Sequence, residues 1–282
     1  MKLAAVMIAV LACSGMLAAQ NRPPSPAPGS YQAPRLPGTK HPDLNGLWQA
    51  VNTAYWDIQD HSAQPAPVLA MGAWGAVPSG RSVVEGNEIP YQAWALAKKK
   101  ENYAKRMTVD PFEFAVGDPE LRCFLPGVPR ATYLPFPFQI IQSTNLLLFS
   151  YEFADASRLI NMENHREPPN DFWMGWSNGH WEGDTLVIEV TGFNGQTWFD
   201  RAGNFHSDAL KVTERYTPSS PYHLQYEATI EDPKVFTRPW KISMPLYRRV
   251  EPGAQRLEFK CVEFTEELIY GSLKKPAPNQ RP

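Results

Sequence analysis

The sequence predicts an all-β fold in which an antiparallel meander closes into a β-barrel of about eight to ten strands. Most of the chain after residue 43 consists of short runs of β-branched and aromatic residues separated by turn residues. These runs follow one another at regular spacing with short connections, which is typical of antiparallel neighbours. Closure of the sheet removes the exposed edges that a meander of this length would leave. A sandwich of two sheets is the alternative.

Nine runs carry the strand pattern. In chain order they are NGLWQAV (45–51), FPFQIIQS (136–143), LLLFSYEFA (146–154), SRLINME (157–163), DTLVIEVTGF (184–193), ALKVTERY (209–216), HLQYEATI (223–230), RPWKISMPLY (238–247) and RLEFKCVEF (256–264).

One segment departs from this pattern. Residues 90–106, PYQAWALAKKKENYAKR, are rich in Ala and Lys, and Pro90 stands near the start, where proline favours a helix. They predict one surface helix. Residues 52–89 show no clear period, and a loop of that length in a compact domain is usually functional or mobile. We interpret residues 52–121 as a long N-terminal insertion.

The first 19 residues predict a secretory signal peptide, because they combine one Lys with a run of small and apolar residues. No apolar run reaches the ~18 residues of a membrane span. We therefore expect export to the periplasm or the extracellular space. The sequence Val10-Leu11-Ala12-Cys13 is also a passable lipobox, so a lipoprotein anchored at Cys13 is the alternative.

The rest of the chain divides into three parts. Residues 20–42 are Pro-rich and predict a linker. Residues 43–268 predict a single β-barrel domain, and residues 269–282 predict a flexible tail. The net charge is −2, so electrostatics gives no reason to expect a nucleic-acid partner.

Two cysteines, Cys123 and Cys261, remain if the signal peptide is removed. An oxidising compartment favours a disulfide between them. Two buried free thiols are the alternative.

Two carboxylates have an unexpected position in the strand pattern. In ALKVTERY, Glu214 shares the inward face with Leu210, Val212 and Tyr216. Symmetric pairing of the hairpin at residues 146–163 about Asp155 places Glu152 opposite Arg158, close enough for an ion pair. If this ion pair lies inside the barrel, each charge needs the other as its counter-ion. If the pair is exposed, it contributes only ~0–1 kcal/mol to stability.

Tryptophans cluster around residue 175. Trp173, Trp176 and Trp181 flank several glycines, which indicates tight turns at the end of a long hairpin. Some of these indoles should line the barrel mouth, where their faces suit apolar, aromatic or sugar ligands. Trp198 and Trp240 are candidates for the same cluster. The alternative is a hydrophobic plug.

The sequence GNFHSDAL places His206 and Asp208 just before the strand that carries Glu214. On an extended chain they share a face, and a histidine can act as a general base. A structural role for His206 is the alternative. Asp57, Asp60 and His61 have a spacing compatible with metal or acid–base chemistry. No zinc spacing, serine-hydrolase elbow or nucleotide-binding glycine pattern is present, so we expect no metal and no cofactor.

The chain resembles a family of exported bacterial proteins of acidobacterial type, for which no activity is established. The blocks that carry the resemblance are PDLNGLWQ, RCFLPGVPR, PFPFQIIQ, GHWEGDTLVIEVTGFNGQTWFDRAGNFHSDALKVTERY and ATIEDPKVFTRPW. In addition, Gly46-Leu47-Trp48 resembles the G-x-W start of lipocalin-like (calycin) barrels. This resemblance agrees with the predicted antiparallel meander.

Three functional hypotheses follow. The first is an exported barrel that binds a small apolar or aromatic ligand, with tryptophans at its mouth and polar contacts from Glu152, Arg158, His206 and Glu214. The second is a cofactor-independent hydrolase, lyase or isomerase in the same pocket, with His206 or Glu214 as acid or base and Arg158 stabilising an anion. The third is a carbohydrate-binding module with an exposed tryptophan platform.

Overall fold

The computed structural model describes residues 31–65, 76–106 and 117–262. The predicted signal peptide, the Cys13 anchor and the predicted tail lie outside the described residues. The described part of the predicted linker, residues 31–42, packs on the rest of the chain, with Ala33 and Leu36 buried. No helix in the described ranges is long and apolar enough to cross a membrane.

Nine strands form a closed barrel in sequence order, which confirms the predicted fold class. They are β1 Gly46–Ala50, β2 Phe138–Gln142, β3 Leu147–Tyr151, β4 Ser157–Asn161, β5 Trp176–Glu182, β6 Thr185–Thr191, β7 Lys211–Ser220, β8 His223–Glu231 and β9 Trp240–Arg248. The last strand pairs with the first through Trp48 and Arg248 and so closes the wall.

The predicted surface helix is present as α1, Ala93–Lys105. A single helical turn, α2, covers Arg130–Tyr133. Short 3₁₀ turns occupy Glu85–Asn87, Pro119–Arg122 and Phe153–Asp155. All of these elements lie in the insertion or in connections, so the barrel wall itself is purely β.

The strand count agrees with the prediction, but two of the strands were misplaced. The run RLEFKCVEF is not a strand over its described residues 256–262, although its alternation is strand-like. Conversely, β5 was missed, because Gly175, Gly179 and Gly183 suggested turns. Gly179 lies inside the strand, where an added Cβ would meet Ile160 Cγ2 at 2.6 Å. A glycine there allows β4 and β5 to approach closely.

The expectation of purely antiparallel pairing was wrong at one point. Strands β4 and β5 are parallel and share only two register pairs, Ile160 with Ser177 and Asn161 with Asn178. The connection 162–175 brings the chain back along the barrel before β5 starts, which parallel pairing requires. The first part of β4, residues 157–159, therefore has no register partner on β5. We call this part of the wall the seam.

Alternation places one face of each strand inside the barrel. The interior is filled by aliphatic and aromatic side chains, and the largest fully buried ones include Trp48, Phe138, Phe149, Tyr151, Tyr216 and Tyr226. The predicted inward face of β7 is confirmed, and Glu214 points inward with 0% exposure.

The predicted disulfide between Cys123 and Cys261 is present, with a Cα–Cα distance of 5.7 Å. It ties the segment before α2 to the segment after β9. Phe259, close to Cys261, packs against Phe136 and Phe153. The disulfide therefore fixes the C-terminal segment on the outside of the barrel.

Candidate functional site

A cleft of about 360 Å³ opens at the seam between β4 and β5. It is lined by residues from the seam strands, from the connection before β5 and from the segment next to the disulfide: Leu125, Ser157, Arg158, Leu159, Asn161, Asp171, Phe172, Trp173, Met174, Gly175, Trp176 and Ser177. Below we call it the seam cleft.

The lining of the seam cleft includes residues from both faces of the barrel wall. Arg158 and Ser177 belong to the buried inner faces of β4 and β5, whereas Ser157 and Leu159 are on the exposed outer face of β4. Side chains of both faces line the same space. A ligand in this cleft would therefore reach groups of the barrel interior from the side.

Two tryptophans form its aromatic walls. Trp173 stacks on Phe124 with 4.9 Å between ring centroids, and Trp176 stacks on Phe172 at 5.9 Å. Gly175 lies between them with φ +67°, a left-handed conformation that glycine adopts without a Cβ penalty. This turn allows the two indoles to face the cleft from different segments.

Arg158, which lines the cleft, belongs to a buried polar cluster. Nη2 of Arg158 lies 2.7 Å from Oε2 of Glu214, and both side chains are at most 2% exposed. The N–H does not point along this line, so the contact is an ion pair without a well-formed hydrogen bond. Tyr216 and Tyr226 each donate a hydrogen bond of 2.9 Å to Oε1 of Glu214.

The protonation states of this cluster follow from burial and charge. Burial raises the pKa of Tyr151 to about 12 and raises the pKa values of Tyr216 and Tyr226 well above 10, so the three hydroxyls keep their protons. Burial alone would lower the pKa of Arg158, but the attraction of Glu214 raises it. The interior therefore holds a fixed cation and its counter-ion.

Several polar atoms at the cleft have no hydrogen-bond partner within the described part of the chain. They are Nε and Nη1 of Arg158, Nε1 of Trp176 and Oγ of Ser177. Buried donors without partners are rare in native proteins and call for an explanation. All of them can donate a hydrogen bond, so an acceptor that reached them would satisfy them.

The predicted ion pair between Glu152 and Arg158 was wrong. Arg158 lies opposite Phe149, not Glu152, because the hairpin turns through Phe153–Asp155 and pairs Ser150 with Ser157. Glu152 falls in the turn, where Oε2 accepts a hydrogen bond of 3.0 Å from the Leu257 backbone N–H. The inward Glu214 supplies the counter-ion instead.

His206 and Asp208 do not share a face. His206 is buried, with Nε2 2.6 Å from Thr197 Oγ1 and Nδ1 2.8 Å from the Ser207 carbonyl oxygen. Asp208 is exposed and forms an ion pair of 2.7 Å with Lys234. A turn at residues 208–209 ends the extended conformation that the prediction assumed. Neither residue lines the seam cleft.

The other predicted tryptophans are dispersed. Trp181 stacks on His41 at 4.7 Å and lines a neighbouring cleft beside the β2–β3 hairpin, which shares Leu159 and Asn161 with the seam cleft. Trp240 is buried between Phe199 and Phe236. Trp198 is also buried. Trp176 and Trp181 are five residues apart in β5 and thus on opposite faces.

A second buried charge network was not foreseen. Arg130 forms a bidentate pair with Asp118, with both distances 2.8 Å, and contacts Glu120 at 2.6 Å. Glu120 in turn holds Arg201 through Nε and Nη2. The sequence signal was weak, because alternating acids and bases in a loop normally indicate a solvated surface. Within the described residues, no group of three or more His, Cys, Asp or Glu side chains could hold a metal ion.

Comparisons of the chain with protein-family models, with curated proteins and with solved structures find no match.

Proposed function

We propose that this protein binds a small aromatic molecule with an anionic group, such as a carboxylate, in the seam cleft. The observation that carries the proposal is the buried guanidinium of Arg158, whose Nε and Nη1 have no partner in the described residues, beside two tryptophan walls. A carboxylate is the acceptor that best matches a guanidinium.

The shape of the cleft supports this ligand class. Its volume of about 360 Å³ falls in the range of small-molecule sites. Trp173 and Trp176 offer apolar faces, and Arg158 with Ser177 offers polar atoms at the inner end. The ligand would place its ring between the indoles and its acceptor at the guanidinium.

Arg158 already has a counter-ion, which bears on how tightly a ligand can bind. Glu214 neutralises one edge of the guanidinium and also accepts from two tyrosines. The ligand therefore does not have to compensate a bare buried charge. Its contribution is hydrogen bonding to donors that have no other partner, each worth about 1.5–3 kcal/mol when one group is charged.

Binding is favoured over the alternative hypotheses. His206 has internal partners at both ring nitrogens and does not line the seam cleft, so it offers no general base there. Trp173 and Trp181 line different clefts, which does not suit a single flat sugar platform. We also propose that the protein is exported, which the disulfide supports because disulfides persist in oxidising compartments.

The proposal is tested with 2-naphthoate and with neutral naphthalene as probes, by titration of tryptophan fluorescence. Trp176→Leu should lower the affinity for 2-naphthoate about tenfold, since it removes an aromatic wall. Trp94→Leu is the matched control, because Trp94 is exposed on α1 and does not line the cleft.

The polar half of the site is tested with the double variant Arg158→Met/Glu214→Gln, which removes both charges together. It should bind naphthalene as the unchanged protein does and lose the preference for 2-naphthoate. If the double variant keeps that preference, or if Trp94→Leu is as damaging as Trp176→Leu, the seam cleft is not the site.

A further inference from the structure

A second cleft, of about 330 Å³, lies outside the barrel in the predicted insertion. It opens between the loop around Trp56, the helix α1 and the loop that carries Arg201, and its lining includes Trp56, Asp57, Lys99, Lys100, Tyr103 and Arg201. We call it the insertion cleft. It shares no lining residue with the seam cleft.

Arg201 is held rigidly at the edge of this cleft. Its Nε and Nη2 donate to the two oxygens of Glu120 at 2.8 and 2.9 Å. Its guanidinium carbon lies 4.6 Å from the ring centroid of Trp56, within cation–π range. One edge and one face of the guanidinium are thus fixed, so its position in the cleft wall does not depend on a ligand.

The cleft brings both signs of charge to one small space. Lys99 and Lys100 on α1 and Arg106 after it supply cations that line it. Asp57 supplies a carboxylate, with Oδ1 accepting a hydrogen bond of 2.9 Å from the Gln59 N–H. Burial raises the pKa of Asp57 despite the attraction of Lys99 and His61. The surrounding charges therefore do not fully offset the cost of burying the ionised carboxylate.

Trp56 adds an apolar face and a buried donor. Its Nε1 has no hydrogen-bond partner among the described residues. Leu121 and Val77 extend the apolar lining. The cleft thus combines cations, the carboxylates of Asp57 and Asp118, and an aromatic wall.

We propose that the insertion cleft binds a small zwitterion of the amino-acid type with an apolar side chain. The ligand carboxylate lies toward Lys99 and Arg201, its ammonium group lies toward Asp57, and its side chain packs on Trp56. The ammonium supplies a further cationic partner for Asp57. This site is independent of the aromatic-anion site proposed for the seam.

Three probes with the same phenyl ring separate the contributions: L-phenylalanine, which is a zwitterion, phenylacetate, which is only an anion, and phenethylamine, which is only a cation. The readout is the indole N–H signal of Trp56 in ¹H–¹⁵N spectra, assigned with Trp56→Phe. The signal of Trp176 reports the seam cleft in the same spectra.

We expect L-phenylalanine to shift the Trp56 signal with the highest affinity of the three probes. Asp57→Asn should weaken L-phenylalanine about fivefold and leave phenylacetate unchanged or tighter, since it removes one partly buried ion pair. Lys99→Gln should weaken both L-phenylalanine and phenylacetate. Lys98→Gln is the matched control, because Lys98 pairs with Glu101 and does not line the cleft.

The inference is overturned if no probe shifts the Trp56 signal, or if phenylacetate and L-phenylalanine bind equally well to the unchanged protein and to Asp57→Asn. A shift confined to the Trp176 signal would also overturn it while supporting the seam site. Conversely, a Trp56 shift without response of Trp176 to 2-naphthoate would support the insertion cleft alone.

Discussion

Arg158 on β4 and Glu214 on β7 form an ion pair inside the barrel, with 2.7 Å between Nη2 and Oε2. Both side chains are almost fully buried, and two tyrosine hydroxyls complete the coordination of the carboxylate. A buried pair of this kind contributes little net stability, but the loss of one partner leaves an uncompensated charge. The pair therefore acts as a fixed polar element next to the seam.

The first prediction concerns this pair. Arg158→Met should lower the free energy of unfolding by about 3–5 kcal/mol, since Glu214 is left without its counter-ion. The double variant Arg158→Met/Glu214→Gln should recover most of that loss. Urea unfolding followed by far-UV circular dichroism measures both. If the double variant loses as much free energy of unfolding as Arg158→Met and Glu214→Gln lose together, the two residues are not coupled.

Glu152 is the control for the pairing. Glu152→Gln keeps an acceptor for the Leu257 N–H and should cost less than about 1 kcal/mol. A loss as large as that of Arg158→Met would instead favour the pairing that the symmetric hairpin predicted.

The second prediction concerns acid stability. Burial opposes ionisation of Glu120, but the attraction of Arg201 and Arg130 outweighs it and lowers the pKa of Glu120 to about 2. A depressed carboxyl pKa gives stability that is present above the unfolded-state value of 4.5 and is lost as the pH falls toward 2. The loss between these values should be roughly 3 kcal/mol.

The measurement is urea unfolding at several pH values between 6 and 2. Glu120→Gln should be less stable than the unchanged protein at pH 6, because two arginines lose their charged partner. Its stability should also fall less steeply below pH 4.5. Parallel curves for the two proteins would show that Glu120 has no such role.

The sequence predicted the barrel because strand alternation is a local property. In β7 the alternation of Val212, Glu214 and Tyr216 predicts that Glu214 points inward, and the structure agrees. The helix α1 was likewise predictable from the local composition of residues 90–106. Periodicity cannot give the direction of a strand, so the parallel pairing of β4 with β5 was not predictable.

The candidate site depends on which residues of neighbouring strands lie opposite each other, and periodicity does not determine that register. The partner of Arg158 was misassigned because the turn centre lies about one and a half residues earlier than Asp155, so that Phe149 takes the place expected for Glu152. The tryptophans were predicted to gather at one mouth. Gly175 and the change of face along β5 separate them instead.

The third prediction concerns His206. The Ser207 carbonyl can only accept, so Nδ1 carries the proton and Nε2 accepts from Thr197. Burial lowers the pKa of His206, so the folded state favours the neutral ring. This contribution to stability is present above pH 6.5, the unfolded-state value, and is lost as the pH falls from there toward the folded-state pKa.

His206→Ala should cost about 2–4 kcal/mol at pH 7.5, since it leaves a cavity and two unpaired polar groups. The difference from the unchanged protein should shrink at pH 5.5. Affinity for 2-naphthoate should not change, as the residue does not line the seam cleft. A loss of affinity without loss of stability would instead support the acid–base hypothesis.

The fourth prediction concerns the disulfide between Cys123 and Cys261, which are 138 residues apart in sequence. Closing so long a loop restricts the unfolded chain strongly, so the variant Cys123→Ser/Cys261→Ser should lose about 3–5 kcal/mol. Phe124, next to Cys123, stacks on Trp173 in the seam cleft. We therefore expect the variant to bind 2-naphthoate more weakly as well, while far-UV circular dichroism still shows the barrel. Reduction of the unchanged protein with dithiothreitol should produce the same two effects together. If stability falls but affinity does not, the segment around Phe124 holds its position without the disulfide, and the aromatic wall is set by its packing on Trp173 alone.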